Sequence, residues 1–240
     1  MDTLLSPSLE TGKFQDFASE VKFVVDLQMA ERIREWARLN LEPDPFGGGR
    51  SGDAYTITSL YLDTENFDVL RRVGSFGRGK YRIRRYGASP EVFLERKMKS
   101  RGLISKKRTA VGVGDLPRVG EMEANRGWAG YWYHRRLLAR RLKPVCQISY
   151  SRTARVARSA TGAIRLTVDE NIAAVRVSNP EFDLASEPVL LSEGRAIVEL
   201  KFRKKLPVLF EEFMKHFELK PQAASKYRIA GAALGFGTIK

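Results

Sequence analysis

Apolar and polar residues alternate with a period of two through several short stretches of the chain, and the polar half of the alternation is charged. From Glu20 to Val25, Val21, Phe23 and Val25 fall on one side and Glu20 and Lys22 on the other. Ile164, Leu166 and Val168 oppose Arg165 and Asp169, and Val198, Leu200 and Phe202 oppose Glu199, Lys201 and Arg203. A two-residue period marks a β-strand, whose successive side chains point to opposite faces. Lys80 to Tyr86 therefore reads as a strand with Lys80, Arg82 and Arg84 in a row on one face and Arg85 on the other. Glu91 to Lys99 groups Glu95, Lys97 and Lys99. Gly87-Ala88-Ser89-Pro90 turns between these two strands, and a basic turn through Arg101-Gly102 leads to a strand over Lys106 to Val113. Thr56 to Leu62, Val145 to Ala157, Ala163 to Asp169 and Ala196 to Arg203 complete the set.

Helical spacing appears at Met29, Ile33, Trp36 and Ala37, with Asp26 as N-cap of a helix from about Leu27 to Leu39. Asp63 or Thr64 caps a short helix reaching about Arg72; a helix cap is also the plainer reading of Asp63 than a metal ligand. Further helices are predicted over Asn125 to Leu142, stopped by Pro144, over Leu206 to Phe217, and over Gln222 to Leu234, capped by Gly235. Glu42 to Asp53, with Gly47-Gly48-Gly49, and Ser178 to Glu193 read as loops. Residues 1–17 are an unpatterned tail, and residues 18–240 read as one domain without repeats or low-complexity linkers.

An antiparallel sheet with one wet face also alternates, but it mixes in Thr and Gln and scatters its charge signs. Here cations prevail, with a carboxylate beside them in at least three strands. A sheet closed into a tunnel is the other solution, its outer face under helices and its inner face polar. The alternation alone leaves both solutions open.

Composition sharpens this. The 240 residues carry 42 Lys and Arg against 28 Asp and Glu, a formal net charge of +14, which suits nucleic acid, an acidic membrane surface or a polyanionic small substrate, a plainly solvated basic surface being the bland reading. One cysteine, Cys146, can form neither a disulfide nor a thiolate metal site by itself, and His134 and His216 have no ligand partner at useful spacing, so they read as surface or helix residues. No apolar run is long enough to span a bilayer and no secretory signal is visible, so a soluble cytoplasmic protein is expected. Two histidines cannot populate a Ser-His-Asp set, and Gly77-Arg78-Gly79-Lys80 lacks phosphate-loop spacing and precedes a strand. Aromatics do not interleave with the cations on one strand face as nucleic-acid stacking needs, so no nucleic acid is expected. Trp128 and Trp132 read as helix-core anchors, and Arg135, Arg136, Arg140 and Arg141 as a solvated helix face. Converging Arg and Lys bind phosphates and suit an extended polyanion, and Glu among them can hold Mg²⁺ or Mn²⁺, the elements of phosphoryl transfer.

These motifs, in order, resemble the VTC domain, the catalytic domain of polyphosphate polymerases within the triphosphate tunnel class. They are Glu20-x-Lys22, Ser59 to Asp63, Lys80 to Arg84, Leu94-Glu95-Arg96-Lys97, Ser105-Lys106-Lys107-Arg108, Tyr150-x-Arg152, Arg165 to Asp169, Glu199-Leu200-Lys201 and Ser225-Lys226-Tyr227. The resemblance implies an α+β fold, an antiparallel β-barrel tunnel with a charged lumen and helices packed outside, and transfer of the ATP γ-phosphate to a growing inorganic polyphosphate chain with Mn²⁺ or Mg²⁺. It implies Lys22, Arg82, Arg84, Lys97, Arg152, Arg165 and Lys226 as catalytic lining. Lys80, Lys106 or Lys107, Lys201 and Ser225 are further phosphate contacts, and Glu199 with Glu20 are the metal ligands. The wider class begins with Glu-x-Glu-x-Lys; here the first position is Ala18. That departure weakens the alternative of triphosphate hydrolysis; a non-catalytic polyphosphate-binding module is the other alternative. A membrane-protein partner is left open.

Overall fold

A computed structural model describes residues 19–48, 52–100, 103–160, 162–203 and 205–236. The tail to Phe17, Gly49 of the glycine loop, the Arg101-Gly102 turn and the side chain of Lys99 lie outside the described residues.

The chain folds around one ten-stranded antiparallel sheet. Its strands are β1 (Ser19–Asp26), β2 (Glu42–Pro43), β3 (Ala54–Asp63), β4 (Gly79–Tyr86), β5 (Glu91–Ser100), β6 (Leu103–Gly112), β7 (Lys143–Ser159), β8 (Gly162–Arg176), β9 (Val189–Leu190) and β10 (Arg195–Phe202). The order is β1-β10-β8-β7-β3-β4-β5-β6, with β2 on β7 and β9 on β8. The helices are α1 (Leu27–Asn40), α2 (Asp68–Arg71), α3 (Tyr131–Arg140), α4 (Val208–His216) and α5 (Lys226–Ala233).

The expected closed barrel is corrected. Among the described residues no backbone ladder joins the terminal strands β1 and β6. The sheet nonetheless curls until its two ends meet through side chains: Lys97 Nζ of β5 lies 3.0 Å from Glu20 Oε1 of β1. A salt bridge between strands so far apart in the ladder requires a strongly coiled sheet with a concave inner face. Side chains span the seam where a barrel would have backbone hydrogen bonds.

The apolar halves of the strands do what the alternation predicts. Phe23, Val25, Leu166, Val168, Val198 and Leu200 turn outward under α1 and α4, where Ile33, Phe210 and Phe213 complete a core. Tyr81, Ile83, Val92 and Leu94 pack with Tyr133 and Leu137 of α3 in a second core. Full burial of each such side chain contributes about 1.5–3 kcal/mol.

Not every helix lies outside. α5 crosses the inner face at one end: Tyr227 stacks on Tyr61, with centroids 5.0 Å apart and planes 3° from parallel, and its hydroxyl donates to Asp63 Oδ2 at 2.6 Å. Asp63 also accepts from the backbone N–H groups of Val69 and Leu70, so it caps α2 and holds α5 at once. The predicted helix ends shift for local reasons. α5 starts only at Lys226 because Gln222 N–H donates to the Lys22 carbonyl, keeping the preceding segment extended along β1. α3 starts only at Tyr131, since Trp128 covers Gly130 so closely that a Cβ there would lie 2.5 Å from its ring. It ends at Arg141, in the left-handed region at φ 50°. β8 runs past the predicted end to Arg176, because Asn171 takes φ 51° and is absorbed as an irregularity opposite Ser149 to Ser151. His134 is fully buried, not a surface residue, with Nε2 3.0 Å from the Glu121 carbonyl.

Candidate functional site

The strand register assembles the inner face. On β4, Arg82 stands between Tyr61 of β3 and Glu95 of β5, and Arg84 between Ser59 and Phe93. Lys80 pairs with Lys97, which pairs with Lys106 of β6; Glu95 pairs with Arg108. On the other arm, Glu20 faces Lys201, Lys22 faces Glu199, and Lys201 and Glu199 face Arg165 and Thr167 of β8. Arg152 of β7 stands opposite Asp169. Lys22, Lys80, Arg82, Arg84, Lys97, Lys106, Arg152, Arg165, Lys201, Glu20 and Glu199 therefore share one face. Ser225 and Lys226 reach it from the start of α5, with Lys80 Nζ donating to Ser225 Oγ at 3.0 Å.

Lys107 is the exception among the anticipated contacts. It sits one position out of phase with Lys106 and lies over the outer face of the sheet, its Nζ 4.4 Å from the Trp132 ring centroid. The choice between Lys106 and Lys107 thus falls to Lys106 on geometry. Arg85 likewise turns outward and donates to the carbonyls of Ala88 and Ser89 in the hairpin turn.

Three carboxylate clusters organise the cations. Asp169 is fully buried; Arg152 grips it with both Nε and Nη2, at 2.6 and 2.7 Å, and Lys226 Nζ adds a third contact at 2.5 Å. Burial alone would raise its carboxyl, but Arg152 and Lys226 overcome it and hold Asp169 far below the usual carboxylate range. Glu95 accepts from Arg82 Nε at 2.6 Å and lies 3.4 Å from Arg108 Nε. Burial opposes its ionisation, yet Arg82, Arg84 and Arg108 together hold it at about 2.

The third cluster is Glu20 with Glu199, carboxylates on the neighbouring strands β1 and β10, Glu20 opposite Lys201 and Glu199 opposite Lys22. Glu199 is nearly buried, a circumstance that favours protonation, but Lys201 and Lys22 outweigh it and keep the carboxyl well below its ordinary value. Lys22 is pulled down by burial and raised further by Glu199 and Glu20. Lys201 is pushed down to about 7 by burial, with Arg152 and Arg165 adding to the effect against the pull of Glu199. Lys80 and Lys106 are also lowered, by burial first and by neighbouring cations second. Crowding of like charge is the mark of a face suited to an anion: a bound phosphate relieves repulsion that the protein alone leaves in place.

Among the described residues no three His, Cys, Asp or Glu converge on one point. The adjacent carboxylates Glu20 and Glu199 nevertheless fit a hard divalent cation, which takes oxygen ligands and fills its remaining positions with water and substrate phosphate. Asp63 does not belong with them, since its two oxygens are spent on α2 and Tyr227.

Glu95, Asp169, Arg108, Tyr150, Tyr55 and Asp44 escaped the sequence reading as site residues. Arg108 faces inward over the Phe93 ring, 3.4 Å from its centroid, and the period-two rule starting from Lys106 could have found it. Tyr150 accepts from Arg84 Nη2 at 3.3 Å and has Lys226 Nζ 4.6 Å over its ring. Arg165 binds the Tyr55 hydroxyl at 2.6 Å and Asp44 Oδ2 at 2.7 Å. The last contact pins the Glu42 to Asp53 loop to the inner face, and nothing local in that loop signals it.

A search of curated proteins by sequence finds no match. Among solved structures, a candidate adenylate cyclase from Bacillus halodurans is 14% identical, with 88% of this chain and 93% of that one covered at a TM-score of 0.54. A candidate adenylyl cyclase from Hippeastrum, described as having a dominant triphosphatase activity, is 16% identical over 89% and 94% of the two chains, at a TM-score of 0.49. The Bacillus likeness shows a shared fold. The family model of the VTC domain matches residues 17–235, nearly the whole described chain, and the protein belongs to the VTC domain family.

Proposed function

We propose that this protein is a polyphosphate polymerase that transfers the γ-phosphate of ATP to a growing inorganic polyphosphate chain. The observation that carries the reading is the convergence on one concave face of cations from both arms of the sheet and from α5, around the carboxylate pair Glu20 and Glu199. Membership of the VTC domain family supports a triphosphate-binding tunnel, and the shared fold agrees.

Phosphoryl transfer needs little covalent help from a protein; positioning and charge neutralisation supply most of the rate. Arg82, Arg84 and Arg108 present guanidinium forks to phosphate oxygens, with Lys80, Lys97 and Lys106 adding point charge along the same arm. Asp169 fixes Arg152 and Lys226 in place before substrate arrives, so they lose little freedom on binding it. Glu20 and Glu199 would hold Mn²⁺ or Mg²⁺, which supplies neutralisation of charge on the transferring phosphoryl oxygens. Burial of Glu199, Arg84 and Arg152 keeps competing water from the reacting phosphate.

Purified protein incubated with ATP and Mn²⁺ is expected to yield polymer ladders on a gel, lost in Glu199→Gln. Orthophosphate without polymer would replace the reading with hydrolysis. Tight polyphosphate binding without turnover would replace it with a binding module.

A further inference from the structure

We infer that Thr167 is a phosphate-positioning residue, its hydroxyl acting together with Arg165 Nε as a neutral-and-cationic donor pair for one phosphate oxygen cluster beside Glu199. The inference rests on the triphosphate-binding reading above and adds to it a contact point that charge alone does not reveal.

The geometry is particular. Thr167 lies at the middle of the inner face of β8, between Arg165 and Asp169, and is fully buried. Its hydroxyl has no hydrogen-bond partner. The strand neighbours explain why. On one side stands Ala154, which offers no polar atom; on the other stands Glu199, a carboxylate directly opposite that the hydroxyl does not bond. Asp169, two residues along, is already occupied by Arg152 and Lys226. Arg165 Nε, two residues back, is likewise buried without a partner, although the far end of the same guanidinium holds Tyr55 and Asp44. Among the described residues, the other buried side-chain atoms lacking a partner belong to Arg96, Trp128, Tyr133, His134 and Arg140, away from this strand.

Buried polar atoms are satisfied as a rule, and an exception at a site of function points to a ligand. An anion is the ligand that suits both atoms, since each offers a donor and Lys201 and Arg152 stand near them on the neighbouring strands. A packing explanation competes: threonine is a good strand former, and its methyl could be all that matters. The two explanations part on substitution. Thr167→Val keeps the shape and β-branching and removes only the hydroxyl; Thr167→Ser keeps the hydroxyl and removes the methyl.

The test is titration calorimetry of the full chain with tripolyphosphate in chelator-treated, metal-free buffer, alongside melting of each variant. Thr167→Val is expected to bind between about tenfold and a hundredfold more weakly, the value of one hydrogen bond to a charged group. Its melting temperature should be unchanged or higher, because an unpartnered hydroxyl has been removed. Thr167→Ser should bind within a few-fold of the parent. Equal affinity of Thr167→Val and the parent overturns the inference, as does a Thr167→Ser variant as weak as Thr167→Val. A parent protein that does not bind tripolyphosphate at all overturns the triphosphate reading itself, a separate result that no variant can mimic.

Discussion

The two arms of the sheet carry their charge differently. On β7, β8, β10 and β1 most facing charged pairs join opposite signs: Glu20 faces Lys201, Lys22 faces Glu199, and Asp169 faces Arg152, with Lys201 against Arg165 the exception. On β4, β5 and β6 the inner face is nearly all cation, with Lys80 against Lys97 against Lys106, and Glu95 alone between Arg82 and Arg108. The balanced arm can hold its geometry without a ligand. The cationic arm does not neutralise itself, and on the proposed function a phosphate would complete it. On the proposed function, the balanced arm would supply fixed positions and the Glu20 and Glu199 carboxylates for a metal, and the cationic arm would supply grip on phosphate.

The contrast can be broken in four places, in decreasing order of effect. Glu199→Gln, on the balanced arm, should remove polymer synthesis by a thousandfold or more, about 4 kcal/mol of transition-state stabilisation, while tripolyphosphate binding without metal survives. Synthesis and binding measured side by side check this, and loss of both together would erase the proposed division of labour. Asp169→Asn leaves Arg152 and Lys226 without their counter-charge, and should cost about 3–5 kcal/mol in urea unfolding, since breaking one member of a buried ion cluster strands the others.

The third test is pH. Glu95 ionises at about 2 in the folded protein against an ordinary 4.5. A lowered carboxyl contributes its stability fully above the unfolded value and loses it as pH falls through the folded value. The cationic arm should thus lose about 3 kcal/mol between pH 4.5 and 2, and an acid-unfolding profile of Glu95→Gln should be correspondingly flatter across that window. The smallest effect separates neighbours. Lys106→Ala should weaken tripolyphosphate binding about tenfold and Lys107→Ala by less than twofold, because Lys107 Nζ sits over Trp132 on the outer face. Equal losses would put both lysines on one face.

Much of this was legible before the fold was known. The period-two pattern placed Lys80, Arg82 and Arg84 together and turned Arg85 away, and Asp26 was readable as a cap that indeed accepts from Met29 N–H at 2.7 Å. Asp63 was readable as a cap too, but not its second role in holding Tyr227, because that contact spans most of the chain. The role of Asp44 was invisible for the same reason: its partner Arg165 lies far along the sequence, and the loop around it looked like punctuation. Arg108 was within reach and was missed because the basic run around it offered no apolar phase to count from.

The sequence by itself determined the faces. Alternation is a local property, since a strand's side chains must point to opposite sides whatever lies beyond it, so which residues share a face follows from their spacing. It also determined the chain's net charge of +14, which does not depend on folding and suits an anionic partner. Only the tertiary structure decided what the faces look at. Whether a cationic face meets water or other cations depends on how far the sheet coils, and coiling is the sum of small twists over many strands. That sum brought Lys97 to Glu20, left the seam open to side chains, laid α5 across one end, and set Thr167 beside Glu199 with nothing on the protein to bond.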